Sequence, residues 1–125
     1  MGYTTDFDGQ FNLDKPLSEA HRAHLEGFAD KRHGSDSGWR ADAGKPGLYC
    51  QWVPTSDGAA IVWDGGEKFY EYTAWLEYLI DTFLGPWGYT LSGAVTWQGE
   101  EPSDMGRLVV KGNRVTEQRA HVEYR

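Results

Sequence analysis

Three sets of residues in this chain have types and spacings that chemistry can use. His21 and His24 form an H-x-x-H pair, which on a helix puts two imidazoles on neighbouring turns, as metal ligands often are. A metal site needs at least one further ligand, and neither a second cysteine nor a His-rich run supplies it, so surface or partly buried histidines are expected. Asp6 and Asp8 stand two apart, a spacing that puts both carboxylates on one face of a strand. With no third partner in the local sequence, they read as a solvated strand face. Cys50 and the distant His121 have the types of a nucleophile and its base, but a lone cysteine beside Trp52 in a β-prone run reads as a small buried hydrophobe.

None of the fingerprints that carry a mechanism is present. The chain has no G-x-S-x-G elbow, no P-loop, no G-x-G-x-x-G, no H-E-x-x-H and no paired cysteines. A small hydrolase or metal enzyme is therefore the weakest reading. The expectation is a protein that is not an enzyme, with no catalytic residues, no cofactor and no metal.

Charge is more informative. Twelve Lys and Arg against nineteen Asp and Glu give −7 over 125 residues. Between Tyr49 and Asp104 nine acids (Asp57, Asp64, Glu67, Glu71, Glu77, Asp81, Glu100, Glu101, Asp104) meet one base, Lys68, so that segment stands at −8. From Met105 onward five bases meet two acids, giving +3. An acidic body disfavours direct nucleic-acid binding, which rests on cationic contacts. It suits solubility, a cation, or a basic protein partner.

The elements that must position these residues centre on Tyr49 to Tyr89. Cys50–Val53 and Ala60–Trp63 are β-prone runs around Pro54-Thr55-Ser56-Asp57-Gly58, which predicts a hairpin. Asp64-Gly65-Gly66-Glu67 then predicts the entry of a central helix. Phe69, Tyr72, Leu76, Leu79, Ile80 and Phe83 make its apolar stripe, and Gly85-Pro86 its stop. Its wet face carries Tyr70, Glu71, Glu77, Tyr78 and Asp81.

Before that centre, Tyr3 to Leu13 alternates apolar and polar residues as a half-buried strand does, with Gly9 marking a bulge or close approach. Ser18 is the expected cap of a first helix with Leu17, His21, Leu25 and Phe28 on one stripe. Residues 33–47 read as a flexible loop, in which Trp39 either plugs back onto the core or serves as an exposed contact. After the centre, Tyr89 to Trp97 alternates again and Gly99 to Asp104 is an acidic turn. Arg107–Lys111 and Arg114–Tyr124 form a closing hairpin about Gly112-Asn113. The fold class that follows is α+β: one domain over 1–125, an antiparallel sheet of about five to six strands packed against two helices, the longer one central.

Six Trp, seven Tyr and five Phe supply a core of this size, with Trp39, Tyr70, Tyr78 and Trp87 left over to line a ligand cleft or an interface. No apolar run approaches the ~20 residues of a membrane span. The opening MGYTTDFDGQF lacks the n- and h-regions of a secretory signal, and a single cysteine suits a reducing cytoplasm.

YCQWVPT, IVWDGGEKFY, WLEYLIDTFLGPWGYTLSGAVTWQGEE and the opening MGYTTDFDGQFNLDKPL resemble a group of small uncharacterised bacterial and phage proteins. The likeness spans most of the chain, and the loop near 33–47 is shorter than in that group. It implies a setting and no activity: a small cytoplasmic protein among which acidic inhibitors, anti-CRISPR-like counter-defence factors and immunity proteins are found.

Two functions of different class are then expected. The leading one is a small acidic binding protein that inhibits or regulates a basic or nucleic-acid-binding protein through Tyr70, Glu71, Glu77, Tyr78 and Asp81, with Glu100, Glu101 and Asp104 beside them. A homodimer is compatible with it. The alternative is a domain that binds or sequesters a small ligand or nucleotide signal in a cleft between sheet and central helix, with Trp39 and Trp87 as candidate aromatics.

Overall fold

The computed structural model describes residues 3–33 and 45–120. Trp39, His121 and the final residues of the expected closing hairpin lie outside these. Six strands, β1 (Asp6–Leu13), β2 (Trp52–Pro54), β3 (Ala60–Trp63), β4 (Leu91–Gln98), β5 (Met105–Lys111) and β6 (Arg114–Arg119), form one antiparallel sheet in the order β2-β3-β1-β4-β5-β6. Two helices, α1 (Glu19–Asp30) and α2 (Tyr72–Leu79), complete an α+β fold.

Alternation places one face of the sheet in the core. Phe11 of β1, Leu91, Val95 and Trp97 of β4, and Leu108 and Val110 of β5 are all buried. Against them pack Trp75, Leu76 and Leu79 of α2 and Leu25 of α1. Each side chain of this size contributes about 1.5–3 kcal/mol on burial. The other face carries Asp6, Asp8, Thr96, Gln98, Arg107 and Gln118, exposed to solvent.

Two glycines let β1 and β4 lie close. Gly9 has φ +112° and Gly93 φ +140°, and a Cβ on either would sit 2.9 Å from a carbonyl oxygen of the opposing strand. The close approach expected at Gly9 is present. The closing turn also forms as expected, with Gly112 at φ +55° and Asn113 at +69°. Ser18 caps α1, its hydroxyl accepting the His21 N–H at 3.2 Å.

The central helix begins later than its sequence predicts. Asp64 Oδ1 accepts the Gly66 N–H at 2.7 Å, closing a turn after β3 and capping no helix. Lys68 and Glu71 take left-handed φ of +57° and +58°, which holds the chain out of the helix until Tyr72. Phe69, in phase with the stripe, instead enters the core from this loop and meets Phe7 and Trp52 edge-on. The eight residues of α2 are fewer than the twelve of α1, but the helix continues as a π-helical segment, Ile80–Leu84. Gly85 N–H closes it onto Ile80 O at 2.8 Å, where Gly85-Pro86 implies a stop.

Candidate functional site

The residues expected to form one acidic, aromatic-bearing surface are gathered by their contacts into separate groups. Glu77 and Asp81, one turn apart and exposed, border a shallow depression of about 230 Å³ with Asn113, Arg114 and Val115. Tyr78, from the same helix, is half-buried. It stacks on Phe28 at 5.8 Å, and its hydroxyl accepts from Lys45 Nζ at 2.9 Å. Glu71 is exposed in its left-handed position ahead of α2.

Tyr70 and the acidic turn are joined through Tyr3. Tyr70 is 53% exposed, and its hydroxyl accepts the Tyr3 N–H at 3.2 Å. The Tyr3 hydroxyl donates to Asp104 Oδ2 at 2.6 Å and accepts the Glu101 N–H at 3.1 Å. Glu100 accepts the Thr4 N–H. Asp104 Oδ1 also accepts from Trp97 Nε1 and from Arg119, each at 3.1 Å. Hydrogen bonds from Tyr3 first, then Trp97 and Arg119, hold its carboxyl below the usual range, and the Tyr3 phenol is raised in turn by that carboxylate. Asp104 therefore ties the segment leading into β1 to β4 and β6, while Glu101 keeps its carboxylate on an exposed residue.

Two ion pairs form among the described residues, Arg22–Glu26 and Arg119–Asp104. Of the nine acids between Tyr49 and Asp104, Asp104 alone is in one.

The other chemical candidates sit in packing. His21 stacks on Trp87 at 3.9 Å and 6°, with Nδ1 2.9 Å from the Tyr89 hydroxyl. His24 meets Phe83 and Trp87 edge-on. Trp87 thus covers the two histidines of α1, and among the described residues no three His, Cys, Asp or Glu gather as a metal requires. Cys50 is 1% exposed with Sγ directed at Trp52 O, and burial pushes its thiol up to about 12. That suppresses the thiolate a nucleophile needs.

The space expected to be a cleft between sheet and central helix is filled. Trp75, Leu76 and Leu79 are at most 2% exposed there. The grooves lie instead on the opposite, uncovered face. One of about 610 Å³ is lined by Asp6, Asp8, Thr96, Gln98, Met105 and Arg107 among others, and Arg107 and Gln118 lead into a second of about 370 Å³. The second is lined by Ala94, Arg107, Val109, Lys111, Arg114, Thr116 and Gln118, three cations and no acid. Period-two alternation foretells a wet face on each strand, but only the strand order brings the wet residues of β1 beside those of β4, β5 and β6.

No helix among the described residues is long and apolar enough to cross a membrane. No family model matches the chain, and no curated protein or solved structure matches it either.

Proposed function

We propose that the protein is a non-enzymatic binding protein that docks a basic partner protein through the acidic side of α2, with Tyr70 as an exposed aromatic anchor. The observation that carries this is the charge of the central segment: of its nine acids, only Asp104 has a salt-bridge partner among the described residues. Unpaired carboxylates on a folded surface raise the encounter rate with a cationic partner and disfavour acidic ones. The inhibitor or regulator role, with its counter-defence or immunity setting in the cytoplasm of bacteria or their viruses, comes from the sequence resemblance.

Glu77 and Asp81 are the residues to reverse, because both are exposed and, among the described residues, neither is in an ion pair. Native mass spectrometry of the protein purified gently from its source cell would give the mass of the bound protein. The Glu77→Lys, Asp81→Lys variant is expected to keep its melting temperature and lose that complex. Association of the unaltered protein should slow as salt rises. A complex that survives the double reversal at unchanged affinity would overturn the reading. The small-ligand alternative is favoured by a separate observation, the grooves on the uncovered sheet face.

A further inference from the structure

In a chain of net charge −7, a groove whose charged lining is three cations and no acid is out of keeping with the rest. Lys111 and Arg114 are cross-strand partners in the β5–β6 register, side by side on the uncovered face. Like charges directly opposite one another on a sheet repel. Neither takes part in an ion pair among the described residues, although Glu77 and Asp81 border Arg114 from the α2 side. Arg107, four residues back along β5, lines the same groove, its Nε donating to Gln118 Oε1 at 2.5 Å. An anionic group seated between Lys111 and Arg114 would relieve the repulsion and accept charge-assisted hydrogen bonds, with the Thr116 hydroxyl within the same groove.

The adjoining groove is mixed in charge, with Arg107 and Arg119 on its β5–β6 side. Asp6 and Asp8 line its β1 side, and Thr96 and Gln98 lie between them and Arg107. Asp8, Thr96, Arg107 and Gln118 form one cross-strand row. From strand spacing, Asp8 and Arg107 are about 10 Å apart, and Lys111 lies about 13 Å further along β5. The trough therefore has an anion-binding end and an end that accepts hydrogen bonds from amines.

We propose that this trough binds a nucleoside monophosphate or a close relative, its phosphate at Lys111 and Arg114 and its amine-bearing base toward Asp6 and Asp8, with Arg107 along the path between them. Ala94 and Val109 give an apolar floor between the charged ends. A nucleic-acid polymer is disfavoured, since successive phosphates would meet Asp6, Asp8 and the acidic body. Arg114 also borders Glu77 and Asp81, so the two readings are separated by Lys111 and the Asp6/Asp8 end, which the acidic side of α2 does not share.

The test is amide chemical-shift mapping with AMP, CMP and GMP, with inorganic phosphate and a single-stranded oligonucleotide run beside them. The mononucleotides are expected to shift Ala94, Thr96, Val109 and Thr116 saturably, more tightly than phosphate alone. Lys111→Gln with Arg114→Gln should weaken them by roughly tenfold or more, given the strength of charge-assisted contacts. Asp6→Asn with Asp8→Asn should weaken the nucleotides while leaving phosphate unchanged or tighter. No shift with any of the three nucleotides would overturn the proposal. So would an unaffected Lys111/Arg114 variant, or an oligonucleotide that binds where the mononucleotides do not. Equal affinity for phosphate and nucleotide, or tighter nucleotide binding in the Asp6/Asp8 variant, would overturn the base-binding end.

Discussion

The Tyr3 hydroxyl donates a 2.6 Å hydrogen bond to Asp104, a residue 101 positions further along the chain. This one contact anchors the approach to β1 against the turn between β4 and β5, and it sets how the fold responds to acid. The folded pKa of Asp104 is lowered, first by Tyr3. Its contribution to stability is thus fully present above the unfolded value of 3.8 and lost as pH falls through the lower folded value. Tyr3, with its pKa raised above 10.0, contributes below that pH and loses its contribution only as alkali rises through the folded value. Urea unfolding across pH should show a loss below pH 3.8 that Asp104→Asn reduces, the remainder including Asp57, whose carboxyl is lowered by Thr55 and the Ala59 N–H. In a double-mutant cycle with Tyr3→Phe, the two residues should show a coupling that is absent once Asp104 is protonated.

Gly106 resists replacement by crowding alone, since a Cβ there would overlap Gln118 O and the Trp97 ring, whereas Gly9 and Gly93 resist it by crowding and strain together. Each has a left-handed φ and faces a carbonyl oxygen 2.9 Å from where a Cβ would be. Gly93→Ala should cost about 2 kcal/mol or more, since backbone strain and a clash add. Gly112 also has positive φ, but a Cβ there meets nothing within 4 Å, so Gly112→Ala should cost only the turn strain, about 1 kcal/mol. Equal costs at the two sites, read by thermal or urea unfolding, would contradict the packing argument.

Two buried tryptophans should respond differently to the same substitution. Trp52 Nε1 donates to Tyr72 O at 2.8 Å, whereas Trp75 Nε1 is buried without a hydrogen-bond partner among the described residues. Trp52→Phe loses packing and leaves Tyr72 O without that donor, while Trp75→Phe loses packing and removes an unsatisfied donor. The first should be costlier by about 1 kcal/mol in urea unfolding.

Cys50 should be silent toward thiol reagents in the folded protein. With 1% exposure and a thiol pushed up to about 12, it offers a reagent neither access nor thiolate near neutral pH. Labelling with a chromogenic disulfide should proceed only as fast as the protein opens, and urea should release one thiol per chain.

His21→Ala should destabilise the protein by about 1 kcal/mol, through loss of the parallel stack on Trp87. The metal content of the purified protein should not change. A fall in bound zinc with His21→Ala or His24→Ala would restore the metal reading of the H-x-x-H pair.

The parts of the fold legible in the sequence are those set by local rules. Alternation in Tyr3 to Leu13 and Tyr89 to Trp97 locates β1 and β4, Ser18 starts α1, and Gly112-Asn113 turns the last hairpin. The start of α2 was not legible, because Phe69 keeps helical phase while Lys68 and Glu71 adopt left-handed backbone that no local pattern announces. The candidate sites depend on register and strand order. That Asp104 would be fixed by Tyr3 and Trp97 follows from pairing β1 with β4. That Asp8 would share a row with Arg107 follows from β4 lying between β1 and β5.

The two outer strands of the sheet are not alike. β2 has three residues, one of them Pro54, which has no N–H to offer. α1 also packs beside it. β6 has six residues and, among the described residues, pairs with β5 alone. A sheet with two receptive edges can grow copy after copy into a filament. A sheet with one can join a second copy and then has nothing left to offer. Edge-to-edge association of this chain, where it occurs, stops at two.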